Sequence, residues 1–135
     1  MVKMRYTLAF DENRNLFTLT TFDALSLRDI QDMIRAMLMH ESWRKGRDLL
    51  LDHRLASFSE ISPADMKMLA DTVAVLDQKL GPRYCAIITP DDGISKHAMY
   101  QYEVDPRADL VTRIFLAHEY ENALHWLAEC AASSN

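Results

Sequence analysis

The sequence predicts an α/β protein: a five-stranded mixed sheet with an antiparallel opening hairpin, the remaining strands parallel, flanked by four helices. Three observations lead there. Segments 5–10 and 16–21 alternate apolar with polar residues and are rich in aromatic and β-branched types, and Asp11-Glu12-Asn13-Arg14-Asn15 between them is turn-forming. Further along, apolar runs of strand length alternate with stretches of helical period, the pattern of strands joined by crossovers. Two of these runs, Leu49-Leu50-Leu51 and residues 84–89, are continuously apolar, as strands buried on both faces are.

In the hairpin Tyr6, Leu8 and Phe10 share one face, while Leu16 with Thr18 and Phe17 with Leu19 compete for the core side of the second strand. Ser26, three residues before Asp29, opens a helix over 27–40 with its stripe on Leu27, Ile30, Ile34, Met37 and Leu38. Gly46 suits a chain reversal ahead of the next strand, which starts near Asp48 and is read as ending at the charged trio Asp52-His53-Arg54. A loop over 55–61 leads to the second helix, where Ser62 caps, Pro63 occupies the first turn, and Met66, Leu69, Val73, Leu76 and Leu80 form the stripe up to Gly81-Pro82. Met66 and Met68 are read as packing residues. After the strand over 84–89 and Pro90-Asp91-Asp92-Gly93, helical spacing resumes from Ile94 until Asp105-Pro106 breaks it. A strand over 110–116 and a helix over 120–131, burying Ala123, Leu124, Leu127 and Ala131, complete a single domain over 1–135.

Composition narrows the classes. With 49% hydrophobic and 26% charged residues the chain resembles ordinary soluble proteins. Its apolar runs are too short for a transmembrane segment, and the opening residues lack the apolar core of a signal peptide, so a cytoplasmic location is expected. Net charge is −5 and no basic stripe is present, which disfavours nucleic acid as a partner. Cys85 and Cys130 lie in apolar segments and read as reduced, buried thiols. Only 3 glycines occur and none forms a phosphate loop; the five histidines make no metal-binding pattern, so neither cofactor nor metal is expected.

The residues that could carry chemistry gather at predicted strand ends. Asp52, His53 and Arg54 close one strand, and Asp91, Asp92, Lys96 and His97 follow the next; carboxyl ends of adjacent parallel strands lie side by side. Such a group could bind a small anion or supply acid and base groups. The plainer reading pairs Asp52 with Arg54 as a structural ion pair, because no nucleophile accompanies them. Trp43, Met99, Tyr100, Tyr102 and Trp126 either pack between sheet and helices or mark an interface.

The opening hairpin, LLLDHR, the capped helix ending in Gly-Pro, YCAIITPDD and RIFLAHEYENALHWL together resemble the SpoIIAA-like family, related to the STAS domains of anti-sigma-factor antagonists and to CRAL-TRIO-type lipid-transfer domains. The resemblance covers the chain from Tyr6 to Leu127. It implies a non-enzymatic module on a five-stranded mixed sheet flanked by helices. In STAS antagonists a serine at the start of the helix after the third strand is phosphorylated, and the matching loop here holds Ser57, Ser59 and Ser62. It departs from the family's Asp-Ser-Ser-Gly pattern, lacking the glycine, and a phosphate there would meet Glu60 and Asp65.

The leading expectation is therefore a cytoplasmic binding or regulatory module acting through protein–protein contacts, with a protein partner and a homodimer in view. Its surface is placed at Asp52, His53, Arg54, Ser57, Ser59, Asp91, Asp92 and Lys96. The alternative is a carrier of a small apolar or lipid-like ligand. A small hydrolase or isomerase using Asp52, His53 and Asp91 stands third, with no catalytic residue assigned in the leading reading.

Overall fold

The computed structural model describes residues 5–69, 71, 83–90 and 111–133. Five strands form one sheet: β1 (Tyr6–Asp11), β2 (Leu16–Ala24), β3 (Asp48–Ser57), β4 (Tyr84–Ile88) and β5 (Val111–Phe115). They lie in chain order across the sheet; β1 and β2 are antiparallel and every later pair is parallel. Helix α1 (Leu27–Leu38) joins β2 to β3, α2 begins at residue 63 between β3 and β4, and α3 (Tyr120–Ser133) follows β5 after a short 3₁₀ turn. The rest of α2 with Gly81-Pro82, and the fourth helix expected from Ile94, fall outside the described residues.

Local signals account for these elements. The Asp11 carboxylate accepts from the backbone of Asn13 and Arg14, which tightens the turn, and Asn15 takes the left-handed conformation at φ 53°. Ser26 and Asp29 form a reciprocal capping box on α1, at 3.1 and 2.8 Å, and Ser62 accepts from the Asp65 amide at the start of α2. Gly46 turns the chain at φ 87°, in the region where a side chain is strained.

Parallel strands that succeed one another in one direction, through crossovers of one hand, place their helices on one face. Accordingly Ile30, Met33 and Met37 of α1 and Met66 and Leu69 of α2 share a core with Phe17, Leu19, Leu49, Cys85 and Ile87. The opposite face presents Leu16, Leu50, Ala86, Ile88 and Phe115, covered by Ala123 and Leu127 of α3. Both registers proposed for β2 are used, because the strand is covered on both sides where it starts. Over β1 the same second face is open, with Thr7, Ala9 and Asp11 exposed.

Two packing expectations are corrected, and for the tryptophans the packing alternative holds. Met68 is 51% exposed, because it lies off the stripe that Met66 and Leu69 turn to the sheet. Ala131 is exposed and Leu124 and Cys130 are only half-buried, because the fully buried line of α3 runs through Ala123 and Leu127. Trp43 is buried against Phe17, with ring centroids 5.1 Å apart, and Trp126 packs on Tyr84 and Phe115 at 6.1 and 5.9 Å.

Phe17 is fully buried and also touches the rings of Phe10 and His40, at 4.6 and 5.3 Å. Phe17→Ala is expected to cost about 3–5 kcal/mol in urea unfolding, from lost transfer energy and the cavity left behind.

Candidate functional site

The charged trio on β3 is not a strand end. The strand continues to Ser57, and pairing with β2 runs on through Phe22↔Leu55, Asp23↔Ala56 and Ala24↔Ser57. Residues 55–57, expected in a loop, are therefore strand. What marks the trio is a shift of register: Thr20 opposes Asp52 and Phe22 opposes Leu55, so His53 and Arg54 together face the single residue Thr21. This β-bulge lets Ala56 return to the α1 core and leaves Leu55 72% exposed.

Strand alternation divides the trio. Asp52 and Arg54 lie on the α3 face, where the carboxylate accepts from Arg54 Nε at 2.9 Å, Nη2 at 2.7 Å and the Arg54 amide at 3.1 Å. Both carboxylate oxygens are thereby engaged. The guanidinium lies over the Tyr120 ring at 3.8 Å, fixing the first turn of α3 to the sheet. The hydrogen bond to Asp52 holds the Arg54 pKa above its ordinary value. His53 points the other way, into the α1–α2 core, where its ring meets Phe58 edge-on at 5.0 Å and Nδ1 shares a 2.6 Å hydrogen bond with the Thr21 hydroxyl. Burial lowers its pKa to about 4 against the opposing charge of Asp52, so the imidazole is neutral at neutral pH.

Of the remaining predicted site residues, Ser57 donates from its hydroxyl to Ser59 Oγ at 3.0 Å and accepts from the Ser59 amide, an exposed serine turn after β3. Asp91, Asp92, Lys96 and His97 lie outside the described residues. The structure thus brings Asp52 and Arg54 together, with Ser57 and Ser59 three to five residues further along the chain, and turns His53 away.

Sequence reasoning missed a groove. It runs along α3 beside the starts of β2 and β3, with a volume of about 510 Å3, and Arg14, Leu16, Asp48, Glu121, Leu124 and His125 line it. The spacing of Glu121, Leu124, His125, Ala128 and Ala131 marks one side of a helix, and only the placement of α3 shows that this side overlooks the sheet. Burial raises the Asp48 pKa, partly offset by a hydrogen bond with the Tyr84 backbone and by the charge of Arg83. Burial likewise pushes the nearby Cys130 thiol up, away from the reactive thiolate.

Among the described residues no cluster of three His, Cys, Asp or Glu could hold a metal ion, and no helix is long and apolar enough to cross a membrane. Comparison with protein-family models and with curated protein sequences gives no match.

Two outcomes test this geometry. The folded-state pKa of His53 lies below the ordinary 6.5, so above that pH neither state binds the proton and His53 adds no pH dependence. From 6.5 down to about 4 the unfolded chain takes up a proton that the folded chain refuses, and stability falls by roughly 3 kcal/mol before levelling off. Urea unfolding across that range is expected to show this slope, and His53→Leu to flatten it. Separately, Arg54→Leu leaves the buried Asp52 carboxylate unpaired. A loss of about 2 kcal/mol is expected, less than the ~3–5 of a fully buried pair because Arg54 is partly open to water, and adding Asp52→Asn should recover part of it.

Proposed function

We propose that this chain is a non-enzymatic cytoplasmic binding or regulatory module of the SpoIIAA-like type, acting through protein–protein contacts on the sheet face that α3 only partly covers. One observation carries the reading: among the described residues, those best suited to acid–base work are consumed by the fold. Asp52 is tied to Arg54 through both oxygens, and His53 is 3% exposed on the other face of the strand. A catalytic pair needs both groups within reach of one reacting atom, and opposite faces of a sheet do not offer that.

Further support comes from the surface and the sheet. The exposed Leu55, paired with the half-buried Phe22, and the groove beside α3 offer apolar and charged groups on one side of the molecule. A hairpin joined to parallel strands is also the sheet that the family resemblance implies.

The test is affinity capture with the full chain as bait beside a Leu55→Asp, Leu124→Glu bait, both checked for unchanged melting temperature. A partner held by the first and lost by the second is expected. Equal retention by both, or turnover in a substrate screen that Asp52→Asn abolishes without unfolding the chain, would overturn the reading.

A further inference from the structure

Among the described residues strand β1 forms one border of the sheet, and its hydrogen-bonding direction can be read from a single bond. The Phe22 amide donates to the Arg5 carbonyl at 3.1 Å, which makes Arg5 and Phe22 a hydrogen-bonded pair. The register Tyr6↔Thr21 through Asp11↔Leu16 continues without interruption, and in an antiparallel ladder such pairs recur at every second residue. Thr7, Ala9 and Asp11 therefore spend their backbone groups on β2, while the N–H and C=O groups of Tyr6, Leu8 and Phe10 point outward from the sheet.

Edge strands are normally protected by charge, proline or a bulge. The opposite border, β5, carries Arg113 in its middle, but residues 6–10 of β1 read Tyr-Thr-Leu-Ala-Phe, with no charge, no proline and an unbroken register. Their three core-side residues, Tyr6, Leu8 and Phe10, are only half-buried against the α1 core.

We infer that the β1 edge is a self-pairing surface, on which a second copy of this chain adds its own β1 in antiparallel register centred on Leu8. The register follows from the geometry. Outward-facing residues must meet outward-facing residues, and centring on Leu8 uses all three of them: Leu8 faces Leu8 of the other copy, and Tyr6 faces Phe10 twice. Each of these three pairs exchanges two backbone hydrogen bonds. Aromatic pairs then flank a leucine pair on the core side of both sheets. Arg5 and Asp11 fall opposite each other in this register, but each is already engaged within its own chain, Arg5 with the Ala24 carbonyl and Asp29, and Asp11 with the Asn13 and Arg14 amides, so the register rests on the backbone and the apolar pairs. Contact through one short strand is narrower than the roughly 1,600 Å2 of a standard interface, so the dimer forms as concentration rises. The inference stands on strand geometry and does not depend on the proposed module function.

The experiment uses the exposed positions Thr7 and Ala9, which oppose each other across the axis as close non-hydrogen-bonded pairs. Light scattering over a concentration series is expected to show the wild-type mass rising from one chain to two, and amide exchange to slow at Tyr6, Leu8 and Phe10 over the same range. The Thr7→Lys, Ala9→Lys variant should stay at the mass of one chain, as should Thr7→Glu, Ala9→Glu, and an equimolar mixture of the two should regain the mass of two. Circular dichroism and thermal melts on each variant establish that the fold is intact. A wild type of one-chain mass at every concentration, or a dimer that persists in the folded lysine variant with fast exchange at Leu8, would overturn the proposal.

Discussion

The packing of this sheet depends on one irregularity, the bulge that sets His53 and Arg54 against Thr21. A strand without it would keep strict alternation and carry Leu55, not Ala56, into the α1 core. Beside it, the ordinary alternation of the strand serves two chemically different surroundings at nearly the same level. On one face a charge pair is braced on Tyr120, and on the other a neutral imidazole is braced on Thr21 and Phe58. The two halves are not equivalent in water: Arg54 keeps a partly open guanidinium, while His53 is sealed. Each buried polar group on the strand has a partner of its own, which is what allows charge in the middle of a sheet at all.

Much of the fold was legible because its signals are local. The turn Asp11–Asn15, the Ser26 and Ser62 caps and the apolar run of β4 each announce themselves within a few residues, and each stands where it was placed. The length of β3 was not legible. Three leucines followed by Asp-His-Arg look like a strand running out into solvent, and nothing local reveals that a paired aspartate and arginine are carried within the strand and not at its end. The bulge was equally hidden, since it is a property of the pairing with Thr21 and not of either strand alone.

The candidate site was legible in the same measure. The plainer reading of Asp52 and Arg54 as an ion pair matches their geometry, because a bidentate contact between a carboxylate and a guanidinium needs only proximity. Grouping His53 with them failed for the reason that strands alternate: neighbours in sequence become residents of opposite faces. The groove beside α3 showed in the sequence only as the helical spacing of one wall, since its other walls come from the hairpin turn and the starts of β2 and β3, far from α3 in the chain.

Strand order has a consequence for how the molecule is made. Because each strand lies beside its predecessor, a chain emerging from its amino terminus can add every new strand to an edge already in place, without reserving a gap for a later arrival. The α1 side can close as synthesis proceeds, since its helices precede the strands they join. The other side has to wait: Leu16, Leu50, Ala86 and Ile88 gain their cover only when Ala123 and Leu127 arrive, after β5. Helix α3 is thus the step at which this face of the sheet stops being sticky, and a nascent protein cut short before it would be work for chaperones.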